Sequence, residues 1–240
     1  MGLYSDTDLS IRPALETAHA ATIESFSQPG RWWNGPQRAA IVAEARDARV
    51  EAGLQEPIDG EPVSAELPEA ARRVARQVAV TTNHLARDFC EQALDDGLSD
   101  TEYCETVGIV SRLANVDIFA RGIGLPARAL QAPSGVEPTR QRPETARAEG
   151  AWIDSVPGGR RGKQEAVDIY GTDTVEGAPF IYRALSLVPE EARGLVSLGR
   201  AQYVEIANFM DLGFTYEPGI SRAQVELLAA RVSAINECFY

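Results

Sequence analysis

The sequence predicts an all-α protein, on three observations. Apolar residues recur at spacings of three and four along most of the chain. Residues suited to opening a helix stand just ahead of these runs. No alternating apolar–polar stretch lasts long enough to form a sheet. Taken in order, Pro13 fits a helix start and leads into Ala14 to Phe26, closed by Pro29 and Gly30. Asn34 is a good N-cap for a second helix, from Pro36 to about Val50. Leu67-Pro68-Glu69 opens a third, from Ala70 to roughly Val80, and a fourth covers about Asn83 to Asp95 before Gly97. Ser99 and Glu102 have capping-box spacing at the head of a long apolar helix that reaches about Ile123, where Gly124-Leu125-Pro126 stops it. Helical patterning resumes from Phe180 to Leu187, again from Pro189 to about Met210, and finally from Ser221.

Three parts follow from this pattern: a helical unit over 1–125, a connector over 126–179, and a second helical unit over 180–240. The connector holds Pro126, Pro133, Pro138, Pro143, Pro157 and Pro179 together with Gly158 and Gly159. A chain of 240 residues can bury a substantial core. Its net charge of -12 argues against nucleic acid or an anionic membrane as partners. No apolar run approaches the length of a membrane helix, and the N-terminus is expected to carry no leader peptide. The cysteines Cys90, Cys104 and Cys238 are odd in number and widely spaced. They indicate neither a disulfide framework nor a zinc site, and a reducing cytoplasm suits them. No cofactor is expected.

The two helical units can be laid on each other with Gln37 against Gln224, which aligns two Ala-rich helices that follow turn residues. In that register Ala39 opposes Glu226 and Glu51 opposes Cys238. A duplicated unit would thus have lost its thiol from the first copy; chance likeness of two Ala-rich helices is the alternative.

The last helix carries the candidate chemistry. Val225, Leu228, Val232, Ile235 and Phe239 define an apolar face, and Glu226 and Cys238 are the candidate catalytic residues. In one straight helix those two would stand about 18 Å apart along the axis, so cooperation requires a break. Asn236 is the expected break: as an N-cap it would put Cys238 in the first turn of a new helix, at the positive end of its dipole. The plainer alternative is a small buried hydrophobe on the apolar stripe.

The segment from Gln224 to Tyr240 resembles the redox motif of the AhpD-like alkylhydroperoxidase family, the carboxymuconolactone decarboxylase superfamily. That motif is a Glu, a Cys-x-x-Cys about a dozen residues on, and a His four residues after the second Cys. Glu226 and Cys238 match its first two elements; the second Cys and the His would fall beyond Tyr240, so the chain reads as ending inside the motif. Trp32-Trp33-Asn34-Gly35-Pro36-Gln37-Arg38, Leu98 to Tyr103 with Val116 to Pro126, and Arg183 to Pro189 with Ala201 to Tyr203 resemble two-repeat, peroxidase-related members. The resemblance implies an all-α fold of two related repeats, a homo-oligomer, and reduction of a small organic hydroperoxide at the expense of a thiol reductant. It implies that Cys238 is the resolving cysteine and Glu226 a proton relay. Without the attacking thiol and the His, residues 1–240 are expected not to turn over. The alternative is a non-catalytic binding or assembly protein on the same scaffold. Acid–base work on a lactone is weakened because no His lies near the terminal site.

Other residues read as structural. His19 and His84 sit in no paired metal-binding pattern, and His84 with Asp88 has the spacing of a surface pair on a helix. Cys90 and Cys104 fit a helical core. Gly158-Gly-Arg-Arg-Gly-Lys163 lacks phosphate-loop spacing and reads as a solvated basic loop. Trp32 and Trp33 are expected to anchor helix packing.

Overall fold

The computed structural model describes residues 2–58, 65–171, 180–204, 208, 210–216 and 218–238. Their regular structure is helical: α1 (Pro13–Ser25), α2 (Gly35–Glu51), α3 (Glu69–Val80), α4 (Arg87–Asp95), α5 (Asp100–Gly122), α6 (Lys163–Tyr170), α7 (Phe180–Arg183), α8 (Pro189–Gln202) and α9 (Arg222–Ile235). The described residues contain no strand, only an isolated bridge between Arg147 and Ser155. None of their helices is long and apolar enough to cross a membrane.

Capping residues start the long helices where their chemistry predicts. Asn34 and Gln37 exchange hydrogen bonds at the head of α2, and Ser99 and Glu102 do so at the head of α5, satisfying amide groups that the helix leaves unpaired. α2 then packs on α3 and α5 through Ala40, Ile41, Val42 and Ala45, all buried. α3 answers with Ala70, Val74 and Val78, one stripe at fourfold spacing. The small side chains let the helix backbones approach closely.

α5 joins two apolar clusters. Ile109, Val110, Leu113 and Val116 belong to the first, with α1 to α4. Cys104 belongs to the second, with Val156, Ile169, Leu187, Val188 and Ala192. Gly108 permits the close approach of α8 here, because a Cβ on it would lie 2.6 Å from the Cβ of Glu191. Helices of the first unit and helices of the last thus share one interior.

Several details differ from expectation; α8, for one, ends at Gln202 rather than near Met210. The Pro-rich stretch read as a connector contains a 3₁₀ turn (Gly159–Gly162) and α6, and gives Val156 and Ile169 to the second cluster. A helix of eight residues between glycines has little local signal, and packing supplies its stability. The glycine–arginine segment is solvated at Arg160, Arg161 and Lys163, as expected of a basic cluster, but its backbone is packed: Gly158, Gly159 and Gly162 are buried, and a Cβ on Gly162 would strike the carbonyl of Pro157 at 2.1 Å. Finally, α4 begins only at Arg87, because Thr82–His84 form a 3₁₀ turn and Leu85 is extended. His84 therefore lies off the helix that carries Asp88, and the expected helical pair does not form.

Candidate functional site

α9 opens with a third capping box, in which Gln224 N–H donates to Ser221 Oγ at 3.3 Å and Ser221 N–H to Gln224 Oε1 at 2.8 Å. One turn on, Glu226 receives two hydrogen bonds at 2.5 Å, one from the Tyr203 hydroxyl and one from Arg222 Nε. Those two donors, the tyrosine foremost, hold the Glu226 carboxyl below the usual carboxylate range. Tyr203 moves the other way: burial, and then the bond to the carboxylate, push its hydroxyl up. Glu226 is thus an anchored carboxylate tying the head of α9 to the end of α8.

Cys238 stands at the other end, in a setting opposite to the expected one. Asn236 closes α9 rather than opening a new helix, with φ -83° and ψ 5°. Glu237 takes the left-handed conformation at φ 51°. Its N–H donates to the Ala234 carbonyl at 3.3 Å, and the Cys238 N–H reaches back to Ser233 O at 2.9 Å. This is a Schellman-type helix end, which satisfies the last carbonyls of the helix. Cys238 therefore meets the carbonyl end of a dipole, not the amide end. Glu237 accepts from Asn83 Nδ2 at 3.2 Å, docking the helix end on the 82–84 turn. α9 runs unbroken from Glu226 to Ile235, a rise of roughly 14 Å, so the structure does not bring Glu226 and Cys238 together. Cys238 is exposed, and Phe239, assigned to the apolar face, lies outside the described residues together with Tyr240.

The other thiols are interior. Cys90 sits in the first cluster and Cys104 in the second, both buried and free. Burial pushes both thiols up, against a hydrogen bond with Tyr103 at Cys90. His19 is structural too: its ring meets the Tyr4 hydroxyl at 2.6 Å and Gln202 Nε2 at 2.9 Å, and burial lowers it to about 4, leaving it neutral.

The most highly organised charge in the molecule escaped the sequence reading. Arg38 of α2, Glu105 and Arg112 of α5, and Glu191 of α8 form one buried group, each at most 3% exposed. Arg38 bonds Glu105 through one nitrogen and Glu191 through the other, at 2.9 Å. Arg112 Nε donates to Glu191 at 2.8 Å, and the Trp32 amide donates to Glu105 at 2.8 Å. Burial raises Glu105 to about 7, with the Glu191 charge adding and Arg38 opposing. A pocket of about 350 Å³ between α1 and α8 reaches Arg38, Arg112 and Glu191. Part of the signal was present: Arg112 interrupts the apolar run of α5, where a lone charge demands a partner, whereas Glu191 stands among Glu190 and Arg193 and reads as a surface residue. A second buried pair, Arg46 with Asp117, is bidentate at 2.9 Å. Trp33 anchors packing as expected, donating from its indole to Thr106 Oγ1 at 3.2 Å. Among the described residues no His, Cys, Asp and Glu group could hold a metal ion. No family model matches the chain, and no curated protein or solved structure does either.

Proposed function

We propose that this chain is an AhpD-like scaffold of two related helical units, bearing the Glu and the resolving Cys of a hydroperoxide-reducing thiol site, and that residues 1–240 alone do not turn over. One observation carries the repeat. The register that sets Gln37 against Gln224 also sets the capping box of α2, Asn34 with Gln37, on that of α9, Ser221 with Gln224. Cap and third helical residue coincide in both copies, which chance likeness of two Ala-rich helices does not require. Glu226 and Cys238 then occupy the family's positions in the second copy. In such a protein the attacking thiolate takes one oxygen from the hydroperoxide, releasing the alcohol and leaving a sulfenic acid. The resolving thiol then condenses with it to a disulfide and water, and an external dithiol restores both cysteines. Cys238 supplies one of the two sulfurs, and a reducing cytoplasm is the compartment that suits the cycle.

The test is consumption of cumene hydroperoxide with dithiothreitol as reductant. Residues 1–240 should not exceed the reductant blank. A chain carrying a Cys three residues after Cys238 and a His four residues beyond that should turn over and form an internal disulfide. Sustained turnover by residues 1–240 that Cys238→Ser abolishes, or an extended chain that keeps both thiols after mild oxidation, would overturn the proposal.

A second reading, binding or assembly without catalysis, is favoured by the apolar residues of α9. Leu227, Leu228, Val232 and Ile235 are all more than half exposed. Under it the chain is a homo-oligomer, and Leu228→Gln with Val232→Gln should shift its sedimentation to that of the monomer.

A further inference from the structure

α8 carries two cavities on adjoining faces, and they share part of their lining. The larger, about 600 Å³, lies between α1, α8 and the end of α6. The smaller, about 200 Å³, lies between α8 and Ile181 of α7. Val196 and Arg200 line both, so these two side chains form the junction.

The larger cavity reverses the charge of the molecule. The chain has 35 acidic residues against 23 Lys and Arg, yet Arg12, Arg193 and Arg200 line this cavity with Asp168 as the one carboxylate among the described residues. Arg12 is pre-set: its Nη2 donates to Ala201 O at 2.6 Å and its guanidinium lies 4.4 Å over the Tyr216 ring. Arg193 is tied to Glu190 at 3.1 Å, and Asp168 accepts from Gln164 at 2.8 Å. Arg200 is different. It stands exposed at the junction, and its guanidinium makes no hydrogen bond or ion pair with any described residue. The depth of the cavity comes from α1, which turns the short side chains of Ala14, Ala18 and Ala21 toward it. The smaller cavity has the opposite character: Ile181, Leu195, Val196 and Val204 make an apolar slot, with Tyr203 in its wall.

A cationic chamber beside a narrow apolar slot fits a molecule with an anionic head and a slender apolar tail. We propose that the paired cavities bind a monocarboxylate with an unbranched apolar chain. Its carboxylate bonds Arg200 in the field of Arg12 and Arg193, and its chain passes Val196 into the slot. The site owes nothing to the thiol chemistry, since it contains no cysteine.

Titration calorimetry of the whole chain tests this with three probes: decanoate, acetate as the head alone, and decyltrimethylammonium as the same tail with the opposite charge. Decanoate should bind at least tenfold more tightly than either control. Arg200→Gln and Val196→Trp, both at solvent-accessible positions, should each weaken decanoate at least tenfold while the thermal melt stays in place. Val136→Gln, at an exposed position that lines neither cavity, should change nothing. Failure of decanoate to bind, equal binding of the cationic probe, full affinity in Arg200→Gln, or loss of affinity only in Val136→Gln would each overturn the proposal.

Discussion

α2 and α9 begin alike and come to rest in different surroundings. Each starts with a polar N-cap and a glutamine at the third helical position, locked in a reciprocal capping box. α2 is then enclosed by α3 and α5, and even its arginines Arg38 and Arg46 are buried. α9 buries only Arg222 and leaves Leu227 69% exposed. Local chemistry sets where a helix starts; how much of it leaves water depends on which other elements arrive beside it.

The buried ionic group gives the largest contrast. Glu191→Ala would strand Arg38 and Arg112 in the interior without their shared carboxylate, costing about 3–5 kcal/mol in urea unfolding. Glu226→Ala removes the corresponding carboxylate of α9, whose side chain is 41% exposed, and should cost less than about 1 kcal/mol. Equal losses would mean that α9 is as deeply integrated as α2. Apolar truncation should repeat the contrast. Ile41→Ala, at a fully buried site, should cost about 3 kcal/mol through lost transfer energy and the cavity left behind. Leu228→Ala on α9 should stay within about 0.5 kcal/mol.

The two helices also face carboxylates shifted in opposite directions. Glu105, bonded to Arg38 of α2, is raised to about 7 by burial, whereas Glu226 is held low by its donors. A raised carboxyl binds its proton more tightly in the folded state. Its stabilising contribution is therefore complete below the unfolded value and is lost as pH rises through about 7. Relative to Glu105→Gln, the wild type should lose on the order of 2 kcal/mol between about pH 5 and pH 8. Glu226 contributes nothing in that window, because its linkage appears only as pH falls below the usual carboxylate range. A wild type that gains on Glu105→Gln with rising pH would refute this assignment. The caps give the smallest effects and the one place where the helices should agree. Asn34→Ala and Ser221→Ala should each cost about 1 kcal/mol of local helix stability, read as faster amide exchange in the first turns of α2 and α9. A loss at Asn34 alone would weaken the repeat as well as the comparison.

Much of this architecture was legible because its signals are local. Pro13, Asn34 and Ser99 start helices within a residue of the expected positions, since Asn34 and Ser99 act on amides only three residues away and Pro13 acts through its own fixed φ. Gly124, at φ 79°, follows the end of α5 because a left-handed position suits glycine. α6 was not legible, as eight residues between glycines look like loop until Val156, Ile169 and Leu187 pack together. Asn236 misled for a related reason. The side chain that can cap a helix start is also tolerated at a helix end, and here the left-handed Glu237 selected the end.

The sequence by itself determined an all-α chain, the heads of its long helices, an acidic net charge and the positions of Glu226 and Cys238 on one terminal segment. Only the tertiary structure decided that Arg38, Glu105, Arg112 and Glu191 meet in one buried group, although Arg38 and Glu191 lie 153 residues apart. Only it decided that α8 brings Arg12, Arg193 and Arg200 to one cavity, and that α9 holds Glu226 and Cys238 at opposite ends. The reason is the range of the forces. Capping and helical periodicity act within a few residues and can be read along a chain, whereas ion pairing and burial act between whichever surfaces the fold places in contact.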